Sequence, residues 1–346
     1  MSRLAVHAVD DLGDRSGAWD DIVDVCPTAS PFVRSWWVAG IGAGPGERLR
    51  LPLVFDGSTL IGGIPLVRDR LEGVLPRLRS IEGSDYVDIV SVPGRENEVV
   101  AALRAWVQRQ RAVIDLACVV PGSVAVDLVP FPRWIVSEEP SPYDDLPPTY
   151  EAYRAGLSSR WRANVAQARR AAERQGWKVR CVDQGEVGPA FERLADLHAL
   201  QWEHSEFLKL RARFGRVVPA AAARGELFIF ELLDGDATIA SQMWFHVGGC
   251  ASYYQGGRLQ TAPSAGTILI SSAVAHACER HQHTIDLLGG ASQYKAHWAR
   301  QVRHLRYVRG ATGHVLPRVV AALATRRNWV SWKRGDPPEP APWPPA

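Results

Sequence analysis

Two periodicities alternate along nearly the whole chain: apolar runs of strand length, and stretches with an apolar residue every three or four positions. In the first half, "RLAVHAV" and "AVIDLACV" read as strands, and "SGAWDDIVDVC", "SPFVRSWWVAGIGAG" and "ENEVVAALRAWVQRQ" as helices. "LRLPLVFDGSTLIGGIPLVRDRL" holds two strands about Asp56-Gly57-Ser58, a hairpin by its turn chemistry. In the second half, "YEAYRAGLSSRWRANVAQARRAAERQG" reads as one helix, with Leu157, Trp161, Val165, Ala168 and Ala172 on one face and Gly176 as its stop. A strand "WKVRCVD", the helix "VGPAFERLADLHALQWEH" and a helical stretch near 206–223 follow. Three antiparallel strands, "ELFIFELLDG", "TIASQMWFHVGG" and "CASYYQGG", are then joined at Asp234-Gly235-Asp236 and Gly248-Gly249. The helix "SAGTILISSAVAHACER" and the strand "TIDLL" complete the pattern.

This alternation predicts an α/β fold with a mixed sheet, and 346 residues exceed what one core usually serves, so two units are expected. "SEEPSPYDDLPPTY", proline-rich and acidic, interrupts every period and reads as the linker. The expected division is 1–139, a linker at 140–150, 151–313, and a C-terminal helix with a disordered proline-rich tail at 314–346.

Net charge is +3, but it is unevenly spread: residues 1–150 carry −7 and residues 151–346 carry +10. The second half is therefore the one expected to meet an anion. Residues 154–180 concentrate eight basic side chains against the single acid Glu173. Phosphates of a cofactor or of RNA would suit them, and a solvated helix face is the alternative. Five cysteines, never spaced as CxxC, indicate reduced thiols. No apolar run matches a signal peptide or a membrane span, so a cytoplasmic protein without membrane insertion is expected.

Three features point to chemistry. "QTAPSAGT" ends a strand and opens a helix with small residues, so its free N–H groups can receive a phosphate. Tyr294 and Lys295 set a phenol beside an amine just past the last strand; a phenol can protonate a leaving thiolate and a cation can offset a tetrahedral oxyanion. His276, Cys278, His281 and His283 are spaced against a shared metal, because positions 276 and 278 diverge by about 200° on a helix. No metal is expected. No serine-hydrolase elbow or zinc-protease motif occurs.

The succession "SSRWRANVAQARR", "LHALQW", "YYQGG", "SAGTILISSAVAHA" and "IDLLGGASQYKAHWA" resembles the FemAB-like branch of the GNAT superfamily of N-acetyltransferases, in particular its CelD-like, cellulose-biosynthesis-type group. The resemblance covers roughly residues 150–300. It departs from the family at "SAG", where Ser-Pro-Gly is typical, and at Ser292-Gln293, where an acid is typical. It implies tandem acyl-CoA N-acyltransferase (GNAT-like) domains, the first degenerate and the second holding the donor site. Acetyl-CoA, or another acyl-CoA, is the implied donor and a primary amine of a small molecule or sugar the acceptor. An aminoacyl-tRNA donor, as FemAB relatives use, or a non-catalytic binding protein are the alternatives. The implied catalytic residues are Tyr294, Lys295, Asp286 and Glu203, with His204 as a further proton acceptor. Gln255, Ser264, Ala265, Gly266 and Thr267 are the implied cofactor contacts, and Arg160, Arg162, His198, Trp202, Gln242 and Tyr254 the implied substrate contacts.

Overall fold

The computed structural model describes residues 4–290, 294–327 and 329–332. They form two compact units: one runs to Pro140 and resumes at Arg303, the other is Ser141–Val302. The first opens with β1 (Ala5–Val9), α1 (Ser16–Val25), α2 (Ser35–Gly40), β2 (Arg48–Asp56), β3 (Thr59–Gly63), β4 (Leu66–Leu71), β5 (Leu75–Arg79) and β6 (Val90–Ser91). It continues through α3 (Glu96–Gln108), β7 (Val113–Val119) and β8 (Arg133–Asp145). The predicted hairpin is β2–β3, with β1 antiparallel on the other edge of β2. A second hairpin, β4–β5, escaped the sequence pattern because "LVRDRL" and "LPRLR" carry too much charge for an apolar run. Those charges pair instead: Asp69 accepts from Arg77 and Arg79, and Asp115 of β7 accepts from Arg77 and Arg309.

The segment expected to be a linker is strand. β8 runs through Pro140 and Pro142 and ends only at Asp145. Two interactions order it. The Pro142 carbonyl accepts from Leu287 N–H at 2.9 Å. Asp144, 1% exposed, is gripped by Arg300 through Nε at 2.6 Å and Nη2 at 2.9 Å. Proline removes a donor but leaves its acceptor, so a strand tolerates it where only the carbonyl is needed. An acidic, proline-rich run looks like a spacer until its arginine, 156 residues further on, is known.

The second unit continues with α4 (Tyr150–Gly156), α5 (Ser159–Gln175), β9 (Lys178–Cys181), α6 (Val187–Ala199), α7 (Glu206–Lys209) and α8 (Arg211–Ala223). Next come β10 (Leu227–Asp234), β11 (Ala237–Val247), β12 (Cys250–Arg258), α9 (Ala265–Glu279) and β13 (Thr284–Asp286). The single helix expected over 150–176 is two. Ser158 breaks it, being extended and accepting from Trp161 N–H as the N-cap of α5. Gly176, at φ +72°, closes α5 as the sequence indicates. β9, β10, β11 and β12 are antiparallel, and β13 joins β12 in parallel and β8 antiparallel, giving the mixed sheet. The α5 and α9 side chains Val165, Ala168, Ile268, Leu269 and Ala273 share a core with Trp244 and Trp298. Phe191 of α6 and Phe214 of α8 stack at 5.3 Å, and Phe207 and Tyr254 join them.

The chain then forms β14 (Gln301–Ala311), α10 (Leu316–Arg326) and β15 (Val330–Trp332). From Arg303 these belong to the first unit, where β14 pairs with β7 and β15 with residues 133–135 of β8. The expected boundary at 313 is corrected accordingly. The β14 edge finds its partner in β7, more than 180 residues earlier, and no local pattern encodes that. The proline-rich tail at 333–346 lies outside the described residues. No described helix is long and apolar enough to cross a membrane.

Buried His246, at the end of β11, has no hydrogen-bond partner on either ring nitrogen. Burial, the neighbouring His276 and Arg280 push it down to about 3, so it folds neutral. An unfolded histidine titrates near 6.5, so between those values the unfolded chain binds the extra proton and stability falls as pH falls. Denaturant titrations from pH 7 to pH 4 should show this as a slope of at most about 1.4 kcal/mol per pH unit from this residue. His246→Phe should flatten that slope while leaving stability at pH 8 equal or higher.

Candidate functional site

β12 and β13 part company early. They pair only from Cys250 to Ser252 against Thr284 to Asp286, whereas β12 stays paired with β11 as far as Arg258. From Tyr253 onward no described strand covers the other edge of β12. Beside that edge lies a cavity of about 320 Å³, lined among others by Trp202, Gln242, Tyr253, Arg258, Gly266 and Tyr294.

Two consecutive glycines let this wall form. A Cβ on Gly257 would meet the His198 nitrogen at 2.3 Å and the Leu197 carbonyl carbon at 2.6 Å, so α6 rests directly on the strand backbone. A Cβ on Gly256 would meet the Tyr253 hydroxyl at 2.5 Å, so that phenol lies across the bare Cα. Gln242, opposite Gly256 in the ladder, donates to the Gly266 carbonyl at 3.2 Å and accepts from the Trp244 indole at 3.3 Å. It ties β11 to the first turn of α9. There Gly266 and Thr267 face the cavity, and their N–H groups lie where an α-helix supplies no intrahelical acceptor.

Of the residues singled out from sequence, Tyr294, Gly266, Thr267, Trp202 and Gln242 line this cavity. The others do not. Lys295 is buried and turns away, its Nζ donating to the carbonyls of Leu288 at 3.3 Å and Gly289 at 2.6 Å. Asp286, 1% exposed, accepts from Leu288 N–H at 2.8 Å and so holds the turn after β13, where Leu288 sits at φ +56°. Ala265 is core, Ser264 makes no side-chain cap, and Gln255 pairs with Met243 outside the lining. Arg162 closes the end of α4 by donating to the Ala155 and Leu157 carbonyls. Arg160, Glu203 and His204 are exposed, outside the lining.

His198 is a brace. The Gly256 carbonyl can only accept, so Nδ1 donates to it at 2.9 Å; Nε2 of the neutral ring then accepts from Ser205 Oγ, also at 2.9 Å. Ser205 Oγ in turn accepts from Leu208 N–H and caps α7. Burial lowers the His198 pKa against the opposing effect of the Gly256 bond, which keeps the ring neutral. The brace positions Gln201, whose amide donates to the Arg258 carbonyl at 3.0 Å, and Trp202, whose ring lies 4.9 Å from that of His198.

Tyr253 and Arg258 were missed. Of the two tyrosines in "YYQGG", the resemblance implies Tyr254 as a substrate contact, and a regular two-residue period would put Tyr254 on the face of Gly256. The ladder has a bulge instead: Met243 pairs with Gln255 and Trp244 with Tyr253, which leaves Tyr254 over. Tyr253 thus takes the cavity wall, and Tyr254 packs on Phe207, Phe214 and Phe245. Arg258 carried a usable signal, a cation at the end of the strand leading into a small-residue helix start. Among the described residues lining the cavity it is the only charged one. No three His, Cys, Asp or Glu side chains among the described residues gather as metal ligands would.

Residues 159–296 match the family model described as an acetyltransferase (GNAT) domain. By that match the second unit is GNAT-like. No curated protein sequence matches the chain. Its fold is similar to the crystal structure of FemX, with a TM-score of 0.66, 12% identity, and coverage of 88% of this chain and 98% of that one. It is also similar to the C-terminal domain of a putative lysylphosphatidylglycerol synthetase from Agrobacterium fabrum, with a TM-score of 0.58, 13% identity, and coverage of 93% and 99%. The structure of L-PGS from Bacillus licheniformis is a third, with a TM-score of 0.56, 12% identity, and coverage of 93% and 98%. At these identities the likeness is one of fold.

The glycine contact sets a clear expectation. Because both atoms a Gly257 Cβ would meet are backbone, neither can swing aside, and Gly257→Ala should destabilise the protein by about 3 kcal/mol. Urea unfolding monitored by tryptophan fluorescence measures this, with Gly185→Ala, where a Cβ meets nothing within 4 Å and φ is likewise not positive, as the reference for the substitution without the clash.

Proposed function

We propose that the chain is an N-acyltransferase that moves an acyl group, acetyl in the first instance, from acyl-CoA to a primary amine of a small molecule or sugar by direct attack. One observation carries this reading: the first turn of α9, the uncovered edge of β12 and the Tyr294 phenol border one cavity. The N–H groups of Gly266 and Thr267, the helix dipole and Arg258 suit the phosphates of the donor. The uncovered edge of β12 offers backbone groups to an extended chain. Tyr294 is placed to protonate the departing thiolate. No carboxylate lines the cavity among the described residues, so the amine's proton leaves through water, with exposed Glu203, next to the lining Trp202, as its proposed acceptor.

Acetyl-CoA or CoA should raise the melting temperature, since a ligand that binds only the folded state stabilises it. Gly266→Val tests the site: a Cβ there meets nothing closer than Gln242 Nε2 at 4.0 Å, so the backbone has room for a side chain whose methyls block the helix start. The variant should keep the melting temperature of the free protein and lose the shift. Tyr294→Phe should keep the shift and lower acyl transfer by about 10²-fold or more. A wild-type protein that neither coenzyme stabilises would remove this reading in favour of a binding protein.

Transfer from aminoacyl-tRNA is the second reading, favoured by the exposed arginines Arg160, Arg170 and Arg174 along α5. Binding to RNA should fall steeply between 50 and 200 mM salt, by about 10³-fold or more for six phosphate contacts. A coenzyme carrying three phosphates should respond far less.

A further inference from the structure

The mechanism so far gives no role to the Tyr253 phenol in the cavity wall. Its ring is held on three sides. Trp244, its partner across the ladder, lies 5.2 Å away at 47°. The bare Cα of Gly256 lies beneath its hydroxyl, with Gln242 beyond. The bulge fixes which face of β12 it occupies. The hydroxyl is hydrogen-bonded to that of Tyr294, 41 residues further along, and both phenols line the cavity.

We propose that Tyr253 is the positioning residue of the site: it donates its hydroxyl proton to the Tyr294 oxygen, fixing that phenol and leaving the Tyr294 proton to point at the leaving group. This rests on the acyl-transfer reading. Direction follows from environment. Burial, and after it the bond to Tyr294, drive the Tyr253 pKa well above its ordinary value, so Tyr253 keeps its proton throughout. Tyr294 is 40% exposed and can exchange its own with solvent.

The step balances. The amine nitrogen bonds to the thioester carbon and the C–S bond breaks, its electron pair going to sulfur. Tyr294 gives its proton to that sulfur and becomes a phenolate, which the Tyr253 O–H stabilises. The ammonium nitrogen loses a proton to water, and Tyr294 regains one from water. Gly256 is part of the device, because any side chain there would displace the Tyr253 hydroxyl.

Tyr253→Phe removes one oxygen and keeps the ring on Trp244. Losing a hydrogen bond to a developing phenolate should lower kcat by about 10- to 100-fold while the KM for the acyl donor stays within about twofold. The alkaline limb of the kcat profile, which reports loss of the Tyr294 proton, should move to higher pH, because the phenolate has lost its donor. The double variant with Tyr294→Phe should be no slower than Tyr294→Phe alone. Unchanged kcat and an unmoved limb in Tyr253→Phe would overturn the proposal. A packing role alone would lower the melting temperature and leave the limb in place, which also overturns it. Should the wild type transfer no acyl group to any amine, the functional reading fails, and the phenol pair is still measured by tyrosinate absorbance. The Tyr294 titration, taken as the difference from Tyr294→Phe, must move to higher pH when Tyr253 is Phe. If it stays put, the pair does not exist as described.

Discussion

β12 has to satisfy two partners that want different things of it. On one edge β11 keeps its ladder to Arg258; on the other, β13 lets go after Ser252. A strand with one edge uncovered exposes backbone donors and acceptors, which proteins usually hide. Here the exposure is confined. α6 presses onto Gly257 on one face, the Tyr253 ring fills the other over Gly256, and the start of α9 closes the end through Gln242. Four residues of the cavity lining, Tyr253, Gly256, Gly257 and Arg258, belong to this stretch of β12. The site is therefore a consequence of strand divergence, and the glycine pair makes that divergence compatible with tight packing.

Much of the architecture was legible because most elements of the second unit announce themselves locally. The α5 and α9 apolar periods, the Gly176 stop and the turns at 234–236 and 248–249 all appear where the sequence puts them. What failed depended on distant partners. The acidic, proline-rich strand through 140–145 is ordered by Arg300 and the β14 edge by β7, and neither pairing leaves a local trace. The choice between Tyr253 and Tyr254 turned on something else. Strand alternation is reliable only while the ladder is regular, and one bulge between Met243 and Trp244 exchanged the faces of two adjacent tyrosines. A pattern argument cannot choose between Tyr253 and Tyr254, because the bulge is decided by what packs on each face.

The arginine-rich segment carries a related lesson. Read as charge alone, residues 154–180 form a cationic face for an anion. Several of these cations have structural duties: Arg162 closes α4, Arg169 donates to Ser271 at 2.8 Å, and Arg180 with Arg193 holds Glu231, which has no exposed surface. Buried carboxylates require such partners, since an unpaired charge there is costly. The cationic character left for a ligand is thus smaller than the count suggests. At the cavity it comes down to Arg258 and the helix start.

Tyr294 and Lys295, adjacent in sequence, illustrate how the fold divides labour. Lys295 opens a single turn of 3-10 helix and spends its ammonium on the carbonyls of Leu288 and Gly289, the same turn that Asp286 holds from the other side. Of the three clustered groups the sequence singles out, Asp286 and Lys295 are therefore fasteners, and only the Tyr294 phenol lines the cavity. The fasteners matter to chemistry all the same. They fix the chain just past β13, at Leu288 and Gly289. An acid in a cavity is useful only if its proton has one direction to go. On the acyl-transfer reading proposed above, Tyr253 would set that direction, while Lys295 holds the turn through the carbonyls of Leu288 and Gly289.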